Sequence, residues 1–295
     1  MAAGADAGAG GALPQKGITR PISSRSFGTF WRSGVSHHVV RPMPQGEELV
    51  RMLHRVRVLL LTALLLVTGS VMSSAPASAV IGGSKSTYGP WAVRMLVDGE
   101  PACTGTAVAQ QWILSASHCF FEQGQPVADK RISFRVGSLD MRKGTTVRPV
   151  PGGRVGSAHA DMMLIKVPPM KVRTAPLATA RVHPGQAVRQ YGWGATCSGD
   201  ENTCQSPVLK QSDLRVVRPD DPRCEGYTAP GGSDFCMERV SGIPAGGDSG
   251  GPVMSLGPHG TETLLGVFDG SDREKIAEAG EVFQQLAWIR SVTRQ

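Results

Sequence analysis

The sequence predicts an all-β fold for the region that follows residue 80, and three observations support this class. The chain has 37 glycines and 21 prolines, about a fifth of its length against a usual share of about an eighth, which disfavours a helical bundle. Short runs of β-branched and aliphatic residues alternate with clusters of Gly, Pro, Asp and Ser. Asp98-Gly99 separates two such runs, and this dipeptide favours a tight hairpin because glycine adopts positive φ at little cost.

The predicted strands follow one another along the chain and precede a single terminal helix. Hydrophobic residues make up 40% of the chain, which is enough to bury a core. Helical periodicity is confined to about Gln284–Val292, with Leu286 and Ile289 on one face. Pro176–Pro184 is predicted to cross between two halves. The strands are predicted at Val93–Val97, Cys103–Val108, Trp112–Leu114, Ile132–Val136, Met162–Val167, Leu214–Val217, Pro252–Met254 and Leu264–Phe268.

The N-terminal region is predicted to direct export. Arginines at 51, 55 and 57 precede the apolar run Val58–Val67, and a Ser/Ala/Pro stretch then ends at Ala79, which is the layout of a signal peptide over residues 52–79. The alternative is an uncleaved membrane anchor, but the apolar run has about ten residues where a span needs about 20. Residues 1–51 are interpreted as an unstructured leader or an over-extended gene start.

Charge and cysteine content narrow the class further. The net charge is +7, but residues 1–79 carry eight basic and three acidic residues, whereas residues 80–295 carry 23 and 21. A basic face for nucleic acid is therefore not supported. All six cysteines follow residue 80, and no spacing typical of a zinc site occurs. Three disulfides formed in an oxidising compartment are expected.

Three short motifs contain the residue types of nucleophilic hydrolysis. A serine hydroxyl is a poor nucleophile until a base removes its proton, and imidazole titrates in the range that this requires. A carboxylate on the other ring nitrogen holds the required tautomer. The motifs, which place these residues in the order His, Asp, Ser, are Ser115-Ala116-Ser117-His118-Cys119, Asp161-Met162-Met163-Leu164-Ile165-Lys166-Val167 and Gly246-Gly247-Asp248-Ser249-Gly250-Gly251-Pro252.

The region 80–295 resembles the trypsin/chymotrypsin family of serine proteases, of the secreted, bacterial type. Besides the three motifs, Val80-Ile81-Gly82-Gly83, Gly192-Trp193-Gly194 and Trp288-Ile289 carry the resemblance, and the order of the motifs is that family's order. It implies two antiparallel β-barrels, at about 80–180 and 185–283, and a helix at about 284–293.

The resemblance also implies the roles of the site residues. Ser249 is expected to be the nucleophile, His118 the general base and Asp161 its orienting carboxylate, with the N–H groups of Gly247 and Ser249 forming the oxyanion hole. The implied partners are protein or peptide substrates and proteinaceous inhibitors. No cofactor, metal, nucleic acid or stable membrane anchor is expected, and the chain is expected to be a monomer.

Each residue of this set also has an ordinary structural interpretation. His118, beside a cysteine at a strand end, can be a partly buried histidine, and Asp161 can cap a strand. The motif around Ser249 is more specific, because an unrelated glycine-rich turn has no reason to place Asp-Ser between glycines. A catalytically silent binding module on the same fold and a secreted serine esterase are the alternative functions. The first is expected to lose a triad member, and none is missing.

The resemblance implies disulfide pairs and a changed specificity pocket. The pairs are Cys103–Cys119, Cys197–Cys204 and Cys224–Cys236. Ile243 stands where trypsins have an aspartate at the base of the pocket. Asp269, Gly270 and Ser271 replace a Ser-Trp-Gly segment of the pocket wall, and Glu281 replaces a glycine of its back wall. A buried Glu281 would recognise Lys or Arg before the scissile bond, whereas a solvated Glu281 would leave Ile243 to favour apolar residues.

Activation is expected to follow from the position of Val80. In the family that the sequence resembles, a newly exposed N-terminal amine inserts and pairs with the aspartate before the nucleophile, here Asp248. Cleavage after Ala79 by signal peptidase would create the amine of Val80 directly. The sequence therefore predicts a protease that is active on secretion, without a zymogen stage.

Overall fold

A computed structural model describes residues 80–228 and 232–294, together with residues 46, 50–55 and 57. The chain divides into two units, Met1–Met72 and Ser73–Gln295. The described residues of the first unit are helical. No helix in the described part of the chain has both the length and the apolar character that crossing a bilayer requires. Residues 58–79, which hold the apolar run and cleavage site of the predicted signal peptide, lie outside the described residues.

The second unit consists mainly of short strands and ends in one helix, α1 (Val282–Thr293). Short 3₁₀ turns cover Ser117–Phe120, Asp129–Arg131, Glu201–Cys204 and Pro222–Cys224. The strands are β1 (Ser84–Lys85), β2 (Ala92–Val97), β3 (Glu100–Ala109), β4 (Trp112–Ser115), β5 (Phe121–Glu122), β6 (Gln125–Pro126), β7 (Ile132–Val136), β8 (Thr145–Val147), β9 (Arg154–Gly156), β10 (Met163–Lys166), β11 (Ala187–Gly192), β12 (Lys210–Val216), β13 (Asp234–Ser241), β14 (Pro252–Ser255), β15 (Leu264–Ser271) and β16 (Ile276–Glu281).

Two seven-stranded antiparallel sheets contain fourteen of these strands, and β5 pairs with β6 as a separate two-stranded sheet. One has the order β8-β7-β2-β3-β4-β10-β9 and forms a half-barrel. The other has the order β1-β12-β11-β14-β15-β16-β13, and an additional pairing of β12 with β13 closes six of its strands into a barrel. The predicted all-β class of the chymotrypsin type, with a short C-terminal helix, is confirmed.

Local sequence explains how the strands and the helix form. At the predicted hairpin between β2 and β3, Asp98 and Gly99 have φ values of 52° and 90°. Glycine accepts a positive φ at little cost, and aspartate is among the few other residues that adopt it readily. Every predicted strand overlaps an observed one. Helix α1 begins two residues before the predicted start. It buries Ile289 as expected, and Leu286 is half-buried.

Two large hydrophobic clusters and one small one form the core of the described residues. The first contains the buried Trp91 and Trp193 and draws residues from both sheets, whereas the second lies within the barrel strands. Trp193 precedes a backbone segment that reaches the nucleophile loop, and Thr104 on β3 bonds to that loop directly. Residues from both sheets therefore meet at the predicted site.

Candidate active site

His118 is fixed at the end of the half-barrel's central strands. Strand β4 ends at Ser115, whose hydroxyl donates to the Thr104 carbonyl at 2.7 Å. The following 3₁₀ turn carries His118, and the Cys103–Cys119 disulfide ties this turn to β3. The His118 side chain remains 46% exposed, so its ring is held in place while staying accessible to a substrate.

Asp161 reaches His118 because of the register of β10 on β4. Met163 pairs with Ser115 in this register, which places the loop before β10 beside the turn after β4. The Asp161 carboxylate accepts two hydrogen bonds from His118, one from the backbone N–H at 2.9 Å and one from ring Nδ1 at 2.5 Å. Burial raises the pKa of Asp161, but the bonds from His118 and the hydrogen bond with Asp269 together outweigh it, so the pKa of Asp161 is lowered.

Ser249 lies in the loop between β13 and β14, in a turn that only glycine neighbours allow. Gly247 and Gly250 have φ values of 91° and 79°. A Cβ on Gly250 would collide with the Ser115 hydroxyl and the Thr104 carbonyl. This close approach lets the Thr104 N–H donate to the Ser249 carbonyl at 2.9 Å. The backbone of Ser249 is thereby bonded to β3, next to the His118 turn.

The Ser249 hydroxyl makes one hydrogen bond among the described residues, to the Asp269 carbonyl at 3.4 Å. The Asp269 side chain in turn lies 3.2 Å from His118 Nδ1. Asp269 therefore contacts both the predicted nucleophile and the predicted base. The Ser249 hydroxyl does not bond to His118 Nε2 in this geometry. In hydrolases such bonds often tighten only in the complex with substrate.

The peptide groups that precede Ser249 are held by side chains distant in sequence. The Gly246 carbonyl accepts from the Ala195 N–H and from Gln205 Nε2, both at 2.8 Å. The Gly247 carbonyl accepts from Arg94 Nη1 at 2.8 Å and from the Thr104 hydroxyl at 2.9 Å. Because the Gly246 carbonyl and the Gly247 N–H belong to one peptide group, these bonds fix the direction of the expected oxyanion donor.

Two arginines support this oxyanion segment. Arg94 is fully buried and donates to Gln205 Oε1 at 2.7 Å, which orients the amide that holds the Gly246 carbonyl. Burial lowers the pKa of Arg94 to about 10. On the other side Arg273 pairs with Glu201 at 2.8 Å, and Glu201 accepts from the Gly246 N–H at 2.8 Å. The Arg273 guanidinium lowers the pKa of Glu201.

Sequence reasoning did not identify these four supporting residues. Arg94 had a detectable signal, because it is the one charge within the otherwise apolar run 93–97, and a charge on a buried strand needs partners. Nothing in the sequence singles out Gln205 or Glu201 except that both lie near Cys204. The Cys197–Cys204 disulfide closes the loop that carries them. The three disulfides are the pairs that the family resemblance implies.

Asp248 is fully buried beneath the oxyanion segment. Its carboxylate accepts from the Gly194 N–H at 2.7 Å and from the Ala245 N–H at 3.0 Å. Burial raises its pKa to about 6, and these bonds and the charge of Arg94 counteract the rise only in part. Val80 is also buried, and Ile81 bridges to Ile243, two residues before Ala245. The expected activation pair therefore lies on neighbouring segments.

Acidic side chains surround His118. The bonds to Asp161 first, and to Asp269 second, raise the pKa of His118 to about 9. Burial and the charges of Asp269, Asp234 and Asp161 raise the pKa of Glu278 to about 7. Burial and Asp269 raise the pKa of Asp234 as well. The site thus favours the protonated form of the His118 ring.

The expected pocket residues do not all meet. Ile243 is fully buried in the second hydrophobic cluster, and the Ser271 hydroxyl donates to the Pro244 carbonyl at 2.5 Å, which joins two of the expected pocket walls. Gly270 faces Glu278. Glu281 is only 4% exposed and accepts from the Val182 N–H and from Gln284, each at 2.8 Å. Glu281 is therefore buried rather than solvated, and each of its oxygens has a hydrogen-bond donor.

Two groups of side chains have the ligand types of a metal site. The ligand atoms of His118, Asp161 and Asp269 lie within 4.8 Å of one another, as do those of His118, Cys103 and Cys119. Both sulfur atoms of the second group form a disulfide, which leaves them without thiolate character. In the first group His118 Nδ1 already faces two carboxylates, an arrangement suited to acid–base chemistry.

Comparison of the sequence with known proteins identifies the family of this chain. The protein-family model described as Trypsin matches residues 80–291. The chain belongs to the trypsin family of serine proteases. Serine protease 56 of Homo sapiens is 31% identical over 222 residues, 65% of this chain and 34% of that protein. Trypsin I-P1 of Gallus gallus is 31% identical over 178 residues, 55% of this chain and 68% of that protein.

Kallikrein-15 of Homo sapiens is a further relative, 26% identical over 230 residues, which cover 70% of this chain and 87% of that protein. The chain spans about a third of the length of serine protease 56. These relatives come from vertebrates, so the expectation of a bacterial-type member is not borne out.

Proposed function

We propose that the chain is a secreted serine endopeptidase that hydrolyses peptide bonds through Ser249, His118 and Asp161. The observation that carries this proposal is the pairing of His118 with Asp161 through both its ring and its backbone N–H, in the site that holds Ser249. A carboxylate in this position holds the tautomer in which the other ring nitrogen is free to accept a proton. We place the chain outside the cell, after cleavage of the leader near Ala79.

The mechanism follows from these positions. The Ser249 oxygen attacks the carbonyl carbon of the scissile bond while His118 Nε2 takes the hydroxyl proton. The negative charge passes to the carbonyl oxygen, and the new imidazolium is stabilised by Asp161. The C–N bond then breaks, and the imidazolium gives its proton to the leaving amine. Water repeats the sequence on the acyl-enzyme, which releases the acid and restores Ser249.

The oxyanion is expected to be bound by the N–H groups of Gly247 and Ser249. Each such donor contributes about 3 kcal/mol to stabilising the transition state. Support comes from the positive φ of Gly247 and from the anchors on the carbonyls of Gly246 and Gly247. These bonds set the direction of the donors before substrate arrives, so little reorganisation is required during the reaction.

Activation is proposed to use the amine of Val80. A buried carboxylate without a bound cation is costly, and burial raises the pKa of Asp248. An amine inserted beside Asp248 would offset this cost and stabilise the oxyanion segment. The secreted enzyme is then expected to begin Val-Ile-Gly-Gly, and one extra residue before Val80 should strongly reduce kcat. A fully active form that retains upstream residues, identified by N-terminal sequencing, would contradict this role.

Labelling and turnover with Ser249→Ala test the proposed function. The parent chain should react with a serine-directed organophosphate and cleave peptide substrates, and Ser249→Ala should do neither. The matched control is Ser241→Ala, because Ser241 is an exposed serine at the end of β13; it should behave like the parent. Cleavage of esters without peptides would indicate an esterase, and absence of labelling in the parent would indicate a silent binding module.

The primary specificity is proposed to be apolar. Both oxygens of Glu281 are engaged by Val182 and Gln284, away from a role in binding a basic side chain. Ile243 places a hydrocarbon side chain where a trypsin-type pocket would hold a carboxylate. A cleavage profile on a peptide library measures this preference directly. Cleavage confined to positions after Lys or Arg would contradict it.

A further inference from the structure

Two carboxylates approach the same nitrogen of His118. Asp161 Oδ2 lies 2.5 Å from Nδ1 and Asp269 Oδ1 lies 3.2 Å from it. The sequence comparison assigned Asp269 only to the wall of the specificity pocket. The structure directs its side chain to the catalytic base instead.

A β-bulge explains this direction. The register of β15 on β16 shifts between Phe268 and Gly270, so Asp269 is the unpaired residue of the bulge. A bulge interrupts the alternation of side chains and redirects one of them, and bulges are frequent beside active sites. The same residue presents its carbonyl to the Ser249 hydroxyl at 3.4 Å. One local irregularity thus brings Asp269 into contact with two members of the proposed triad.

We propose that Asp269 is a positioning residue that acts with Asp161 to hold the His118 ring and to stabilise its protonated form during the reaction. This inference rests on the proposed function of the same site. Asp161 alone can hold the tautomer, because one of its oxygens accepts from ring Nδ1 while the other is anchored by the backbone N–H of His118. The second carboxylate adds an opposite charge within the distance at which such charges favour the imidazolium.

The surrounding groups show what the second carboxylate changes. The described ionisable groups that act on this set are Asp161 from the loop before β10, Asp234 on β13, and Glu278 on β16. Burial first, and Asp161 next, raise the pKa of Asp269, and contact with His118 opposes this rise. His118, Asp161 and Asp269 therefore titrate as one coupled unit. A neutral replacement at 269 removes one negative charge from the imidazolium's surroundings.

The consequence for activity has a definite sign. The base works in its neutral form, so kcat/KM rises as the pH increases through the pKa of His118. Stabilising the imidazolium moves this rise to higher pH. Removing the Asp269 charge should move it back towards neutral pH by about one to three units, the range for an opposite charge at this distance.

Titration of His118 by NMR tests the inference without requiring turnover. The titration is measured in Ser249→Ala, which keeps His118 but is expected to be inactive. The His118 ring signals are assigned as those that disappear when His118→Ala is added. In that background Asp269→Asn should lower the pKa of His118 by at least about one unit. The control is Asp220→Asn, a largely exposed aspartate paired with Arg218 in a loop, which should leave the titration unchanged.

A second variant and a second measurement keep the outcome decisive. If circular dichroism shows that Asp269→Asn does not fold, Asp269→Ser is titrated in its place. If neither variant folds, the parent pKa of His118 is measured at high salt, because screening weakens a partly exposed ion pair. In the active background the acid limb of kcat/KM should move by the same amount as the NMR titration. A change no larger than that of Asp220→Asn overturns the role of Asp269. Absence of peptidase activity with an intact NMR shift overturns the proposed function only.

Discussion

The histidine side and the serine side of the site are built in different ways. His118, Asp161 and Asp269 form a cluster of side chains that are 46%, 31% and 30% exposed. On the serine side the expected oxyanion donors are backbone groups, and Asp248 beneath them is fully buried. Charges set the chemistry on the first side, and buried hydrogen bonds set the geometry on the second. Substitutions and pH should therefore act differently on the two sides.

The serine side depends on ions that are costly to bury. The Arg94 side chain is fully buried, and this burial lowers its pKa to about 10. Its bonds to the Gly247 carbonyl and to Gln205 offset part of that cost. Removing one member of such a buried network lowers stability more than replacing the whole network with apolar residues, because it leaves a buried polar group without a partner. We therefore expect this network to matter more for the geometry that it enforces on the oxyanion segment than for stability.

The largest effect is expected from removing either member of the pair that is proposed to transfer the proton. Ser249→Ala and His118→Ala should each lower kcat by about four orders of magnitude or more, because the triad acts as a unit. The double variant should be no worse than either single variant. Steady-state kinetics measure this, with circular dichroism to show that the fold is unchanged. Additive losses would mean that the two residues do not act in one step.

The next effect tests the serine side at Gln205. Gln205→Leu removes the bond to the Gly246 carbonyl and the acceptor of Arg94. We expect kcat to fall about ten- to a hundredfold with little change in KM, since a loosened donor weakens only transition-state binding. Affinity for a boronate or aldehyde transition-state analogue should fall in parallel.

The matched control for Gln205→Leu is Gln211→Leu. Gln211 is a half-buried glutamine on β12, paired with β1 and β11 away from the oxyanion segment. It should reproduce any general cost of losing an amide without changing kcat. Equal losses in both variants would show that the Gln205 effect is a stability effect.

The residues in these two predictions differ in whether the sequence alone identifies them. The motifs around His118, Asp161 and Ser249 are local strings, so the sequence identifies them directly. Arg94 and Gln205 are separated by 111 positions and Arg94 and Gly247 by 153, so only the folded chain brings them together. Asp269 was assigned to the pocket because the sequence does not show that it occupies a bulge.

The same reasoning applies to the strands. β2, β3, β4 and β7 are apolar runs between turn residues, and the sequence predicts them. β13 and β16 carry charged residues such as Glu238 and Glu278, and β16 also contains a glycine. Their strand structure comes from pairing with neighbours in the closed barrel, which overrides weak local preference.

A moderate effect is expected from pH on the histidine side. Asp161 and then Asp269 raise the pKa of His118 to about 9. If the neutral ring is the base, as proposed, kcat/KM should increase from neutral pH up to about pH 9. The same shift has the opposite sign for stability. The protonated ring stabilises the folded state fully below its unfolded pKa of about 6.5, and this contribution is lost as pH rises through about 9.

Two measurements distinguish the effect of pH on activity from its effect on stability. A pH profile of kcat/KM between about 6 and 10 reports the base, and thermal unfolding of Ser249→Ala over the same range reports stability. His118→Ala in the Ser249→Ala background should remove the corresponding part of the pH dependence of Tm. An activity plateau already reached at pH 7 would show that the imidazolium is not stabilised to this extent.

The smallest effect is expected at Glu281, which lies on neither side of the site. Its carboxylate accepts from the Val182 N–H and from Gln284, where it helps join the segment before β11 to the start of α1. Glu281→Gln keeps an acceptor for Val182, so a stability loss of about 1 kcal/mol or less is expected for the altered hydrogen bonds. The cleavage profile on a peptide library should be unchanged. If the parent prefers Lys or Arg and this variant loses that preference, Glu281 lies in the specificity pocket. Charged side chains would then determine substrate recognition as well as the protonation of His118.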